Sequence, residues 1–292
     1  MARIFASEPQ SIGGVLDQVF RLAKAALRPV LPFALAQAVV TLLLQVIRLW
    51  PVLTSGDTRA LSQGELPGPI ALLALPLYAL VLVISMATIY RVYEIGAAVE
   101  PPSTAWERGR RRAWPGFLAS LLLMLPIVLL GVIAAIAVPA LHLEKVGPGP
   151  LIVVGVIALA GTLQWLSRAF LCVPAVVVDS LGPVSAIKAS LRLTRGRVLR
   201  LSGVLLVGLV VMVGIYFLVG LLAGVVGALL ARGLALPPVM FGALIAMVVT
   251  FLVAVPIAAF STSLTLSLWH DLKLRAEGSD LGAQIDALHR DA

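Results

Sequence analysis

The sequence predicts an all-α, polytopic membrane protein: six transmembrane helices in three repeats of an interfacial amphipathic helix plus a transmembrane hairpin. Three observations carry this reading. Of 292 residues, 60% are hydrophobic and 12% charged, with a mean hydropathy of +1.05, whereas a soluble domain carries about a quarter charged residues. Charged residues bound six uncharged runs, 29–47, 66–90, 113–143, 146–167, 201–231 and 233–270, and a helix needs about 20 such residues to cross a bilayer. Basic segments precede the first, third and fifth runs: RLAKAALR (Arg21 to Arg28), ERGRRRAWPGFL (Glu107 to Leu118) and RLTRGRVLR (Arg192 to Arg200). The runs do not alternate with a two-residue period, which excludes a barrel.

Residues 1–28 form the first region, an amphipathic helix expected before the membrane. Ile12, Val15, Leu16, Val19, Phe20, Ala23, Ala26 and Leu27 share one face, and Asp17, Arg21, Lys24 and Arg28 share the other. Cations opposite an apolar stripe suit a helix lying among lipid headgroups. Pro29 and Pro32 are expected to reset the chain direction. With the first apolar run starting after Arg28 and no cleavage pattern behind it, the first span is expected to be retained.

Residues 29–270 form the six-helix domain. The first span carries Gln37, Thr41 and Gln45 at i, i+4 and i+8, one polar stripe. Hydrogen bonding between helices is its expected role, and the lining of a substrate path is the alternative. Pro76 and Pro256 mark kinks in the second and sixth spans. Near 103–114, Ser103 or Thr104 can cap a helix bearing Arg108, Arg110, Arg111 and Arg112 between Trp106 and Trp114. His142 and Glu144 in an outer loop are two ligands without a third, too few for a metal site. Arg168 ends the fourth span, and Phe170 to Val178 is expected as a shallow segment. A third basic helix occupies 182–196, with Lys188, Arg192 and Arg195. In the fifth span Gly220 and Gly224 form a GxxxG pair suited to packing within the chain. Hydroxyls at Ser261, Thr262, Ser263, Thr265 and Ser267 are expected to bond to their own helix carbonyls. Residues 271–292 form a polar tail broken at Gly278. Cys172, the single cysteine, is read as a packing residue and permits no internal disulfide.

Six spans put 18 of the 22 Lys and Arg on one side and Arg48, Arg59, Lys145 and Arg232 on the other. The positive-inside bias then makes both termini cytoplasmic. The basic clusters face lipid, so headgroup contact is expected in place of nucleic-acid binding.

VPAVVVDSLGPVSAIKASLRLTRGRVLRLSGVLLV (Val173 to Val207) and LSLWHDLKLRAEGSDL (Leu266 to Leu281) resemble the membrane domain named after glycerophosphodiester phosphodiesterases and its stand-alone bacterial relatives of unknown function. The matching positions are Pro174, Asp179, Gly182, Pro183, Ser190, Leu193, Thr194, Arg195, Gly196, Asp271, Leu272, Arg275, Glu277 and Gly278. Trp269 and His270 stand where the family more often has tyrosines. The resemblance implies a multi-pass protein of a bacterial inner membrane that lacks the soluble catalytic barrel. His142, His270 and His289 are far apart, and no phosphate loop or nucleophile elbow occurs, so no cofactor, metal or catalytic residue is assigned.

The expected function is non-enzymatic: organisation of lipid or partner proteins by a basic cytoplasmic collar. Its candidate headgroup contacts are Arg21, Lys24, Arg28, Arg108, Arg110, Arg111, Arg112, Lys188, Arg192 and Arg195. A membrane or cytoplasmic protein partner, and self-association, are compatible with such a collar. The alternative is a transporter or lipid carrier using the Gln37–Thr41–Gln45 stripe. The absence of Asp or Glu inside the assigned spans argues against ion coupling.

Overall fold

The computed structural model describes residues 3–55, 68–99, 104–140, 148–234 and 238–291. Regular structure among them is α-helical: α1 (Ile12–Ser55), α2 (Gly68–Ala97), α3 (Ala105–Ala140), α4 (Pro148–Ala169), α5 (Cys172–Val177), α6 (Pro183–Thr194), α7 (Val198–Leu234) and α8 (Pro238–Asp291). Six regions are long and apolar enough to cross a membrane: α1, α2, α3, α4 continued by α5, α7 and α8. The protein is therefore multi-pass. His142 and Glu144 lie outside the described residues.

Helices α1 and α8 form the most extensive pair. Helix α2 packs on α1, α3 on α2, and α7 on α8, whereas α4 touches α3, α6 and α7 only sparsely. Short helices α5 and α6 pack against each other and against α3.

The first two basic segments do not form separate helices. Helix α1 runs unbroken through Pro29 and Pro32, so the expected change of direction does not occur there. The reason is one buried stripe, Val15, Val19, Leu22, Ala26, Val30, Ala34 and Ala38, at the three- and four-residue spacing of a single helical face. Leu22, Ala26, Val30 and Ala34 share a core with Val92 and Ile95 of α2 and Ala259 and Leu266 of α8. Packing on both sides of the prolines holds the axis straight enough to continue. The expected apolar face is also rotated: Ile12, Phe20 and Leu27 are exposed, while Leu22 is fully buried.

At the second junction α3 likewise runs from Ala105 into its apolar stretch. Thr104 precedes it and its hydroxyl donates to Glu107 at 3.1 Å, while Glu107 also pairs with Arg111. Only the third basic segment stands as its own helix. Pro183 begins α6 after the Gly182 cap, where the missing N–H costs nothing. Gly196, at φ +73°, makes the turn between α6 and α7, a backbone region that suits glycine.

The segment at 170–178 is packed inside the protein: Cys172, Ala175, Val176 and Val177 of α5 are buried and pack with Ala119 of α3 and Ala186 of α6. Full burial of Cys172 fits the packing role expected for it. Helix α8 also continues through Gly278, since an isolated glycine weakens a helix by only about 1 kcal/mol.

Close helix approach depends on a glycine outside the GxxxG pair. A methyl group on Gly109 would lie 2.7 Å from the Ala87 nitrogen and the Val83 carbonyl oxygen of α2. Nothing among the described residues lies within 4 Å of the same position on Gly220 or Gly224. Gly109→Ala should therefore destabilise by about 1–3 kcal/mol through overpacking, whereas Gly220→Ala should be neutral or slightly stabilising. Thermal unfolding of the purified proteins in detergent checks this, and equal midpoints for the two variants would refute the α2–α3 approach.

Candidate functional site

The basic ends of the helices are drawn together by a carboxylate that the sequence marks only as the polar exit of the last span. Asp271 of α8 is 4% exposed. Its Oδ1 accepts the Gln10 backbone N–H at 2.8 Å. Its Oδ2 accepts Arg200 Nη2 at 3.2 Å and Arg275 Nε at 3.0 Å. Both guanidinium groups also donate to the Gln10 carbonyl oxygen. Three chain regions, the segment before α1, the start of α7 and the Asp271–Arg275 turn of α8, thus meet on one side chain. Arg197 adds donations to the carbonyls of Leu272 and Arg275.

The same N-terminal segment is held along its length. The Ile4 and Phe5 N–H groups donate to Gly96 O at 3.0 Å. His270 Nε2 lies 2.9 Å from Ala6 O, and its ring stacks on Phe5 at 4.7 Å.

Helix ends supply the next layer. The last carbonyls of a helix lack intrahelical donors. Ser190 Oγ donates to Arg168 O at 2.6 Å and Thr194 Oγ1 to the same oxygen at 3.4 Å, so α6 is fastened to the end of α4. At the end of α5, Arg108 donates to Val177 O at 3.2 Å and Val178 O at 3.4 Å. It also donates to Ser180 Oγ and lies 5.2 Å from the Tyr90 ring centroid. Arg112 donates to Ser180 O at 3.1 Å. Ser180 adopts φ +60°, a left-handed conformation that these contacts brace. Lys273 pairs with Asp179 at 2.9 Å and lies over Trp269.

The collar therefore divides. Arg108 and Arg112 are engaged in tertiary hydrogen bonds. Arg21, Lys24, Arg28, Arg110, Arg111, Lys188, Arg192 and Arg195 are exposed, although Arg21 pairs with Asp17 and Arg111 with Glu107. Lys188, Arg192 and Arg195 recur at i, i+4 and i+7. Just beyond them Val198 and Leu199 line an apolar groove of about 820 Å³ between α4 and α7, together with Leu163, Phe170 and Leu205. Leu199 is 91% exposed.

Deeper in the bundle the polar stripe also divides. Gln37 and Thr41 line a partly open cavity of about 360 Å³; Gln45 does not. Ser85 and Thr88 of α2, Tyr216 of α7, and Thr250, Ser261 and Thr262 of α8 complete its polar lining. Among the described residues, no hydrogen bond joins Gln37 or Thr41 to another helix. Back-bonding occurs for Thr265, which donates to Ser261 O at 2.9 Å, but Ser263 and Ser267 are buried without a partner. The α2 and α7 contributions were missed because nothing in their spacing says which neighbour they face. Ser85 and Thr88, three residues apart in an apolar run, were the available signal.

Asp271→Ala would leave two partly buried guanidinium groups facing each other. A cost of about 3–5 kcal/mol is expected for breaking a buried pair in this way. It is read as a lowered unfolding midpoint beside Arg110→Ala, an exposed control that should change little. Equal midpoints would remove the carboxylate from its central position.

No protein-family model matches the chain, and neither does any curated protein or solved structure.

Proposed function

We propose that this chain is a non-enzymatic protein of a bacterial inner membrane, with both termini cytoplasmic, that gathers anionic phospholipid at its cytoplasmic end. The observation that carries the reading is exposed Lys188 and Arg192 of α6, with exposed Arg195 just past its end, beside the apolar groove between α4 and α7. A phospholipid presents the same two chemistries in the same order, an anionic headgroup and then an acyl chain. Each cation near an anionic surface contributes about 1 kcal/mol, and the groove supplies apolar area for the chain. Arg21, Lys24, Arg28, Arg110 and Arg111 extend the basic surface. Arg108 and Arg112 belong to the frame that presents it.

The likeness of Val173 to Val207 and Leu266 to Leu281 to the membrane domain of glycerophosphodiester phosphodiesterases supports the same reading. The shared positions Ser190, Thr194, Asp271 and Arg275 make the contacts that hold the frame. The three-repeat organisation belongs to this proposal as a pattern of basic entry segments, with the first two fused to their spans.

A second reading, a lipid carrier, is favoured by the cavity between α1, α2, α7 and α8. Its partial opening and polar lining are features a moving lipid headgroup would use.

Replacing Lys188, Arg192 and Arg195 together by Gln should weaken retention of phosphatidylglycerol by about two orders of magnitude, from ~1 kcal/mol per charge. The loss should shrink as salt rises. Native mass spectrometry of protein released from mixed-lipid nanodiscs measures it. Undiminished retention in a folded triple variant would sink the proposal.

A further inference from the structure

We infer that the intramembrane cavity binds the uncharged, hydroxyl-bearing headgroup of a neutral lipid. The inference rests on the second reading only in treating the cavity as a site; it does not require transport. At about 360 Å³ the cavity falls at the small end of ligand pockets, which run from roughly 300 to 1,000 Å³. That is room for a headgroup, with the acyl or isoprenoid tail left in the bilayer.

Chemistry selects the class. Among the described residues, the lining contains hydroxyls and one carboxamide but no Lys, Arg, His, Asp or Glu. A phosphate or ammonium group entering it would lose hydration without a counter-charge, a cost that uncharged hydroxyls escape. Ser85 and Thr88 already donate to Val81 O and Ile84 O at 2.8 Å, so their oxygens face the cavity as acceptors. The Gln37 carboxamide offers both a donor and an acceptor. A ligand hydroxyl, itself donor and acceptor, complements that set.

Depth points the same way. Gln37 lies nine residues from Arg28, and Thr262 nine from Asp271, about 14 Å of helix in each case. That is close to the middle of a hydrocarbon core about 30 Å thick. Ala34, Ala38, Ile257 and Ala258 provide methyl surface beside the polar groups, which suits an amphiphile better than a sugar or an ion.

The test uses full-length protein in phosphatidylcholine nanodiscs and two photoreactive probes with identical chains, a diacylglycerol and a phosphatidate. The diacylglycerol probe should label peptides of α1 and α8 around Gln37 and Thr262, and the phosphatidate probe should not. Gln37→Leu should reduce labelling by about tenfold, the effect of one good buried hydrogen bond. Should that variant fail to fold, Thr41→Val and Ser261→Ala, both small changes, carry the same readout. Competition by unlabelled diacylglycerol or by a long-chain polyprenol separates two sources of the same headgroup chemistry. Equal labelling by both probes, or labelling elsewhere only, as for a cavity filled with water, overturns the inference. Labelling without lipid movement in reconstituted vesicles removes the carrier reading and leaves the site standing. Loss of the site leaves phosphatidylglycerol retention at α6 unchanged.

Discussion

The packing of the basic end depends on the buried carboxylate of Asp271. A buried charge is tolerated only when paired and hydrogen-bonded, and Asp271 meets this with partners from three distant stretches: Gln10, Arg200 and Arg275. Each partner is constrained in turn. Both arginines also hold Gln10 O, so the two cations share two acceptors. The segment before α1 therefore lies where the end of α2 and residues 270–275 of α8 can hold it. Phe5 of the same segment is buried in the core shared by α1, α2 and α8, so apolar packing and the bonds around Asp271 hold it together.

A second constraint acts at the ends of α4 and α5. Helix termini near a bilayer need donors for their last carbonyls, because hydrocarbon supplies none. Arg168 O is met by Ser190 and Thr194, and Val177 O and Val178 O by Arg108. This explains why a stretch such as Ser190 to Gly196 mixes inward hydroxyls with outward cations: Ser190 and Thr194 are fully buried, whereas Arg192 and Arg195 are exposed. One helix face fastens the bundle while the other meets its surroundings. Arginine count alone does not distinguish lipid contacts from tertiary ones. The distinction lies in the carbonyls opposite them, Val177 O and Val178 O for Arg108 and Ser180 O for Arg112.

Six long apolar helices were legible because lipid imposes a length and a composition that few other structures satisfy. Gly182, Pro183 and Gly196 marked α6 correctly, since each acts through its own backbone. Pro29 and Pro32 misled for the opposite reason: their local preference was outweighed by the buried stripe from Val15 to Ala38, which depends on α2 and α8. Asp271 could be read as polar and terminal but not as buried, because burial depended on Gln10 arriving from the other end of the chain. The two halves of the resemblance, around Thr194 and around Asp271, are linked in space through Arg197 and Arg200, a relation that their separation in sequence hides.

The cavity sharpens what a polar residue inside an apolar helix means. Gln37, Thr41 and Gln45 are equivalent by spacing, yet only the first two reach the space shared with α2, α7 and α8. Had the stripe been adhesive, its carboxamide would be bonded to a neighbouring helix, because an unmet amide in hydrocarbon costs several kcal/mol. The structure instead sets Gln37 and Thr41 against other polar side chains around an open volume, where a ligand or ordered water can meet them. The basic end and the cavity are therefore complementary in chemistry. One carries exposed cations on a frame closed by its own ion pairs, and the other is lined, among the described residues, by uncharged polar groups. A protein using both would handle charged headgroups at its surface and uncharged ones within.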